Sequence, residues 1–430
     1  MNCNALVAQS GAPSPVINAS LHGVLDGCRA FPSHINSVFA ARHGVEGILR
    51  EELLDLSRED PRELNLLRFT PCAGAIGTCR YKLGADHHDD YNRILHVFAA
   101  HNIGFFFYIG GNDSMDTAHK ISTLARLRGI PLIVTGVPKT IDNDLGDNSG
   151  SLIDLTPGYG SAARFWALLT QNANEENAGM CPSECVSVYQ TMGRKSGFIT
   201  AAARLGDPER RLPLQLYLPE SHHTLASLAS NVNAALSRHG RCIVIVSEGF
   251  DAGPLGEKHD AFGHIEYGAS ETTVAQVVVN HLNRIGLRAR GHATGQVPSV
   301  LQRDVSIYAS CVDLDEAYEV GRHAVQIALR HGSGFMATIL REPGPAYRVR
   351  YDKVPLDAIA NAVRTVPKEW LTPDGLDVTD DFIAYARPLI GEHWPPIQLE
   401  HGLQRFARLR RFPLPRKLPP YIPHLSLIHI

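Results

Sequence analysis

Short apolar runs rich in β-branched and aromatic residues alternate with helix-periodic stretches along most of the chain. ALVAQ (5–9) precedes VINASLHGVLDGC, and IGFFFYIG (103–110) precedes SMDTAHKISTLARLRG. In the latter, Ala118, Ile121 and Ala125 share one helical face and Gly129 stands where a C-terminal cap is needed. The run PLIVTGV follows. Later, HTLASLASNVNAALSRHG places Leu225, Leu228, Val232 and Leu236 on one stripe closed by Gly240, ahead of CIVIVSEGF. Fully apolar strands alternating with amphipathic helices predict parallel sheet covered on both faces. The expected architecture is doubly wound α/β in two lobes, with ligands at the carboxyl ends of the strands. No short repeat and no low-complexity segment interrupts it.

Composition narrows the class without choosing a function. The chain has 430 residues, 44% hydrophobic and 20% charged, with a formal net charge of −3. That length accommodates two or three compact domains. Near-zero charge gives no footing for nucleic acid or a membrane surface as partner. No apolar run approaches the roughly 18–20 residues that span a bilayer, and MNCNALVAQSG lacks a secretory pattern. Eight scattered cysteines fit reduced thiols in a cytoplasmic protein. The pair in CPSEC (181–185) has no second pair at zinc spacing. HHDD (87–90) reads as a solvated loop rather than a metal site. From Arg405 onward the chain is basic, Pro-rich and aperiodic, an extended strap over the surface. Its last six residues, LSLIHI, resemble translated adapter sequence and carry no fold expectation.

Four loops that follow predicted strands concentrate small and charged residues. In QSGAPSPVINAS, Ser10-Gly11-Ala12 leads into a helix, a turn whose amides can hold an anion; a plain tight turn looks the same. GAIGTCRYK (74–82) ends in Arg80 and Lys82, two cations suited to phosphate or to solvent. In IGGNDSMDT (109–117), Gly111 lets a ligand approach the backbone, with Asp113 and Ser114 at a helix start, where either also serves as an N-cap. The fourth, GVPKTIDND (136–144), sets Lys139, Asp142 and Asp144 at the end of a buried strand. On an extended backbone the two carboxylates would point the same way. Together they can hold Mg²⁺, take a proton and grip a phosphate, or form a structural ion-pair cluster. GYGSAA (158–163) fits a dinucleotide pattern, but without a preceding strand it reads better as a close packing turn.

In this order the loops resemble the phosphofructokinase family, and within it the bacterial pyrophosphate-dependent enzymes. The likeness runs from AQSGAPSPVINAS through GTCRYK, GGNDS, PKTIDND, PGYGSAA, MGRKSG and VSEG to LQRD, and on into DGLDVTDDFIAYARPLIG (374–391). PKTIDND and MGR are the specific motifs. The resemblance implies two Rossmann-like lobes with the active site in the cleft between them. One lobe is 1–157 completed by 304–345; the other is 158–303 completed by 346–415, with 416–430 as tail. It also implies reversible phosphoryl transfer from pyrophosphate to the 1-hydroxyl of fructose 6-phosphate, with Mg²⁺, in a homodimer or homotetramer. Sedoheptulose 7-phosphate is an alternative acceptor.

By the same resemblance, Asp142 matches the base, and Lys139, Asp113 and Arg194 match groups around the transferred phosphoryl. Gly11, Arg80, Lys82, Gly111 and Ser114 match the donor side. Thr140, Ile141, Asp144, Met192, Gly193, Glu248, Val300 and Arg303 match the sugar side, with Asn112 and Asp113 at the metal position. ATP-using members carry glycine at the positions of Asp113 and Lys139, so this pair implies pyrophosphate as donor. The sequence departs from the family at Ala12, Asn112, Gln190, Val300 and Cys185, and Arg288 and Arg290 both match a cross-subunit arginine. Two alternatives stand beside this reading: an ATP-dependent enzyme of the same fold, which the Asp113/Lys139 pair argues against, and a catalytically impaired sugar-phosphate-binding regulator, which Ala12, Asn112 and Val300 would support.

Overall fold

The apolar runs fold as buried strands, in chain order β1 (Cys3–Ser10), β2 (Ile35–Ala41), β3 (Leu53–Asp55), β4 (Thr78–Cys79), β5 (Ile103–Gly110) and β6 (Ile133–Pro138). They continue as β7 (Val186–Thr191), β8 (Leu214–Tyr217), β9 (Cys242–Ser247), β10 (Ala293–Gln296), β11 (Phe335–Arg341) and β12 (Val349–Pro355). The computed structural model describes residues 3–84, 86–256, 258, 269–360 and 362–424; the LSLIHI segment lies outside them. Among the described residues, one sheet runs β12-β11-β6-β5-β1-β2-β3 with β4 beside β1, and a second runs β10-β7-β9-β8. Pairing is parallel throughout, except at the edges where β3 and β12 run antiparallel. This is the expected doubly wound α/β architecture.

Helices cover both faces of the larger sheet, and β5 shows why. Every residue of that strand is buried. Phe105 and Phe107 enter one apolar cluster and Phe106 the other, as the two-residue period of a strand requires. The helix after β5 (Asn112–Leu127) buries Ala118, Ile121 and Ala125, and Gly129 follows with φ 65°. Helix Leu225–His239 closes on Gly240, whose left-handed backbone (φ 70°) lets its N–H reach the Leu236 carbonyl at 2.8 Å.

Helices Ile17–Arg29 and Cys311–His331 lie against each other almost backbone to backbone. Small residues at the crossing permit it. A Cβ on Gly23 would fall 1.9 Å from the Tyr318 carbonyl oxygen, and one on Gly321 would fall 2.4 Å from that of Ser20. This contact holds the helix that follows the first glycine loop.

The C-terminal third follows the expected division at β11, within 304–345, and departs from it at β12 and the strap. β11 and β12 extend the first sheet, with Phe335 and Met336 beside Thr135 and Gly136 of β6. Beyond the hairpin at 399–404, the strap returns to the same lobe. There Asp55 donates its N–H to the Phe412 carbonyl (2.8 Å) and Leu414 donates to that of Leu53 (2.9 Å), so the strap shields the open edge of β3. Residues 349–355 and 412–414 therefore pair with the first sheet, whereas 346–415 was expected to complete the second lobe. Carboxylates pin the strap by accepting its backbone N–H groups: Glu63 from Arg408, Glu59 from Arg410 and Arg411, Glu51 from Lys417 and Leu418. HHDD is not a solvated loop, because His88 opens helix His88–Ala100. Asp90 is buried within it, accepting from the hydroxyls of Tyr81 and Tyr421.

Gly23→Ala should force the two helices apart and lower stability by about 1–3 kcal/mol, the usual range for overpacking. The urea midpoint of unfolding measures it; an unchanged midpoint would mean the crossing yields without cost.

Candidate active site

The loops after β1, β5 and β6 leave the carboxyl ends of parallel strands, as do those after β7 and β9 on the second sheet, and Arg80 directly follows β4. After β1, Gly11 adopts φ 76°, a left-handed conformation that glycine takes freely. Its N–H donates to the Cys79 carbonyl (2.9 Å) and its carbonyl accepts the Thr78 hydroxyl (2.9 Å). The first loop is thereby fixed to the strand that carries Arg80. After β5, Gly110 and Gly111 pass tightly into the helix starting at Asn112. A Cβ on Gly110 would sit 2.1 Å from the hydroxyl of buried Ser114.

Lys139 leaves the end of β6 and is buried. Its Nζ donates to the main-chain carbonyl of Ala12 at 2.6 Å, an acceptor that does not depend on the side chain at that position. Burial, together with the nearby Arg303 and Arg80, pulls the amine down to about 7 against the opposing fields of Asp142 and Asp144. Burial pushes the Asp142 carboxyl up, while Arg194, Arg303 and Lys139 draw it back. Asp144 is raised to about 7 by burial and by the Asp142 charge. Glu248 is raised to about 8 by burial and by Asp142. These mutual fields unite Lys139, Asp142, Asp144, Arg80, Arg194, Glu248 and Arg303 in a single cluster, with Lys139 buried and the others half-buried.

The two aspartates do not alternate along an extended backbone. Asn143 between them is buried with φ 57°, so the chain bends there. Its Nδ2 donates to the Tyr385 hydroxyl (2.8 Å) and its Oδ1 accepts the Thr156 N–H (3.0 Å). The Thr140 hydroxyl accepts the Asp142 N–H (3.1 Å), tightening the same turn, and Ile141 is buried. The aspartates share an environment because the loop folds over on itself.

On the second sheet, Gly193 follows β7 with φ 113° and donates its N–H to Glu248 (3.2 Å), which begins the loop after β9. The Ser247 hydroxyl donates to the Gly193 carbonyl (2.7 Å). A Cβ on Gly249 would strike the Arg194 carbonyl at 2.1 Å, so that glycine admits the arginine turn. Gln302, adjacent to Arg303, was not singled out from the sequence. Its Oε1 accepts both the Met192 N–H (3.0 Å) and the Trp166 indole N–H (2.9 Å). It lay within LQRD, and a polar residue beside a motif arginine was the available signal.

Other expected residues fall differently. Lys82 does not stand as a free phosphate cation, since its Nζ pairs with Asp113 at 2.9 Å. Val300 is 42% exposed at the start of the short helix bearing Arg303. Gln190 turns away to accept the Ala275 N–H (2.9 Å), and Cys185 is buried. The GYGSAA glycines make a packing turn, with Asp313 accepting the N–H groups of Gly158 and Ser161 (2.8 Å each). Among the described residues, no group of three His, Cys, Asp or Glu side chains stands ready to cage a metal, and no helix is long and apolar enough to cross a membrane. Two buried polar atoms of the cleft, Asn112 Oδ1 and Arg303 Nε, have no hydrogen-bond partner.

Comparison with known proteins gives one consistent family. The phosphofructokinase family model matches residues 4–328. A pyrophosphate–fructose 6-phosphate 1-phosphotransferase of Halomonas elongata is 38% identical, the alignment covering 97% of this chain and 99% of that protein. The enzyme of the same name from Methylococcus capsulatus is 37% identical, over 96% and 98%. The crystal structure of a pyrophosphate-dependent phosphofructokinase from Nitrosospira multiformis superposes with a TM-score of 0.87 at 36% identity, covering 98% of this chain and all of that one. With motif order, sheet topology and near full-length similarity in agreement, the chain belongs to the phosphofructokinase family.

Proposed function

We propose that this chain is an enzyme that transfers a phosphoryl group from pyrophosphate to the 1-hydroxyl of fructose 6-phosphate, reversibly, with release of phosphate. The observation that carries this reading is the buried Lys139 amine, hydrogen-bonded to the first glycine loop and within the field of Asp142. A phosphoryl donor with no nucleoside offers little binding energy of its own, so a preorganised cation at the transferred group must supply more of the rate. The full-length relatives that bear the pyrophosphate name support the same donor.

In this reading the sugar's O1 attacks phosphorus as the bond to the leaving phosphate breaks, and the hydroxyl proton passes to Asp142. Burial works against the ionised carboxylate that a base requires. Arg194, Arg303 and Lys139 favour its ionised form. Arg303, with an unsatisfied Nε, and Arg194 meet the sugar phosphate and the transferred group. Thr140, Asp144, the Met192–Gly193 turn and Glu248 orient the sugar. Gly11, Arg80, Gly111 and Ser114 line the donor side.

Asp113 would repel an α-phosphate, and Lys82 neutralises enough of its charge for a small polyanion to be tolerated. The unsatisfied Oδ1 of Asn112 and the Asp113 carboxylate fit a Mg²⁺ ion held mainly by pyrophosphate's own oxygens. Bound there, Mg²⁺ would offset donor charge as the phosphoryl moves.

Purified protein with fructose 6-phosphate and Mg²⁺ should turn over with pyrophosphate and not with ATP. Turnover with ATP alone would overturn the donor assignment, and none with either would favour a sugar-phosphate-binding regulator. Sedoheptulose 7-phosphate in the same assay tests the acceptor. Lys139→Gly should lower pyrophosphate-driven kcat by about 100-fold or more, the scale of one preorganised charge-stabilising group. A near-normal rate would make the lysine structural.

The pH dependence of kcat/KM should be bell-shaped around neutrality. The rate rises as the raised carboxyls of Asp142 and Asp144 lose their protons. It falls as Lys139, lowered to about 7, loses its own above that pH. Arginine keeps its charge throughout this range, so Lys139→Arg should remove the alkaline limb while substrate ionisation stays the same. An unchanged alkaline limb would assign it to another group.

A further inference from the structure

The residue between the two catalytic-loop aspartates is held by a part of the chain that lies beyond the family match at 4–328. Asn143 is fully buried and left-handed, a backbone state that is uncommon outside glycine and that Asn adopts more readily than most residues. Both ends of its side chain are tied down. Thr156 donates its N–H to Oδ1, and Nδ2 donates to the hydroxyl of Tyr385 from helix Asp380–Ala386. That hydroxyl in turn donates to the Asp154 carbonyl (2.8 Å), so its one proton is committed and its lone pair faces Asn143.

The Tyr385 ring cannot swing. Trp370 lies against it, ring centroids 4.7 Å apart and planes tilted by 35°, and the Arg341 guanidinium sits 4.6 Å from its centroid. Arg364 lies 5.6 Å from the ring, donates its side chain to the Asp154 carbonyl and donates its backbone N–H to the Asp144 carbonyl (2.9 Å). The hydroxyl is thus a fixed point from which the Asp142–Asp144 turn is hung.

We infer that Tyr385 is a positioning residue for the catalytic loop, acting through Asn143 to set where the Asp142 and Asp144 carboxylates stand. Its hydroxyl is engaged with Asn143 and the Asp154 carbonyl. The bend at Asn143 orients the peptide planes on either side, and the two carboxylate-bearing residues are its immediate neighbours. Losing the hydroxyl leaves Nδ2 a buried donor without an acceptor, a cost the loop escapes only by moving. The consequence for rate rests on the phosphoryl-transfer reading; the consequence for loop order does not.

Tyr385→Phe deletes one oxygen and keeps the ring's packing. It should lower kcat about tenfold or more, with KM for pyrophosphate and fructose 6-phosphate within about twofold of the parent. Asn143→Gly, which takes the left-handed backbone without strain, removes the same bond from its other end. In that background Tyr385→Phe should cost less than about twofold further. An equal cost in both backgrounds, or an effect confined to KM, would overturn the inference.

Hydrogen exchange of the Ile141–Asp144 amides supplies a readout independent of catalysis. It should quicken in Tyr385→Phe while the thermal midpoint stays close to the parent's, and unchanged exchange would overturn the positioning role. A parent protein that turned over nothing would defeat the proposed function, and the exchange result would still decide this one.

Discussion

Lys139, Asp142 and Asp144, set together in one small volume, keep their charges with the help of the groups around them. Burial is the leading influence on Lys139, Asp142, Asp144, Glu248 and Arg303, and in each case it opposes the ionised form. The amine and carboxylates counter it with opposite fields, and Arg194 reinforces the cationic side. Remove one cation and the aspartates drift toward neutrality; remove an aspartate and the lysine does. A polyphosphate anion entering this setting adds negative charge beside Lys139, Arg80 and Arg303, so in the proposed reading donor binding favours the protonated amine.

Such a balance requires that the charges not move, and the fold supplies stiffness at several distances. Close by, the Ala12 carbonyl fixes the lysine head and the Gly193–Glu248 bond ties two loops of the second sheet together. Gln302 fastens Met192 to the Trp166 helix. Farther out, the glycine crossing of helices Ile17–Arg29 and Cys311–His331 sets the helix behind the first loop with almost no tolerance for added volume. Lys82 acts differently, holding Asp113 so that a carboxylate can line a polyanion's pocket at modest electrostatic cost.

What sequence could foretell divides along the range of the interactions involved. Strands β5, β6 and β9 were legible because burial on both faces demands uninterrupted apolar residues, and the helices between them because one apolar stripe must face the sheet. Motif order pointed to the cleft. The conformation of the catalytic loop was not legible: Asn143 bends it through a bond to Tyr385, 242 positions away, and no local periodicity encodes that. HHDD carried the composition of a loop yet starts a helix in which Asp90 is satisfied by the hydroxyls of Tyr81, just before it, and of Tyr421, 331 positions away. Lys82 looked like a phosphate ligand because its partner on the helix after β5 could not be inferred from spacing. The strap was readable as extended chain, but its pairing with β3 depends on carboxylates spread between Glu51 and Glu63.

The route of the chain through the first sheet also bears on how the protein is made. β6 ends at Pro138, yet its outer neighbour β11 begins at Phe335, and the strap that shields β3 comes later still. At about 5–20 residues per second, a ribosome takes roughly 10–40 s to traverse the intervening segment. During that interval the nascent lobe carries two open strand edges, while the four strands of the second sheet are all delivered between them and can pair first. The lobe begun first is thus the lobe finished last. Newly made chains meet their greatest hazard of pairing with one another in that interval, when β6 and β3 are both uncovered.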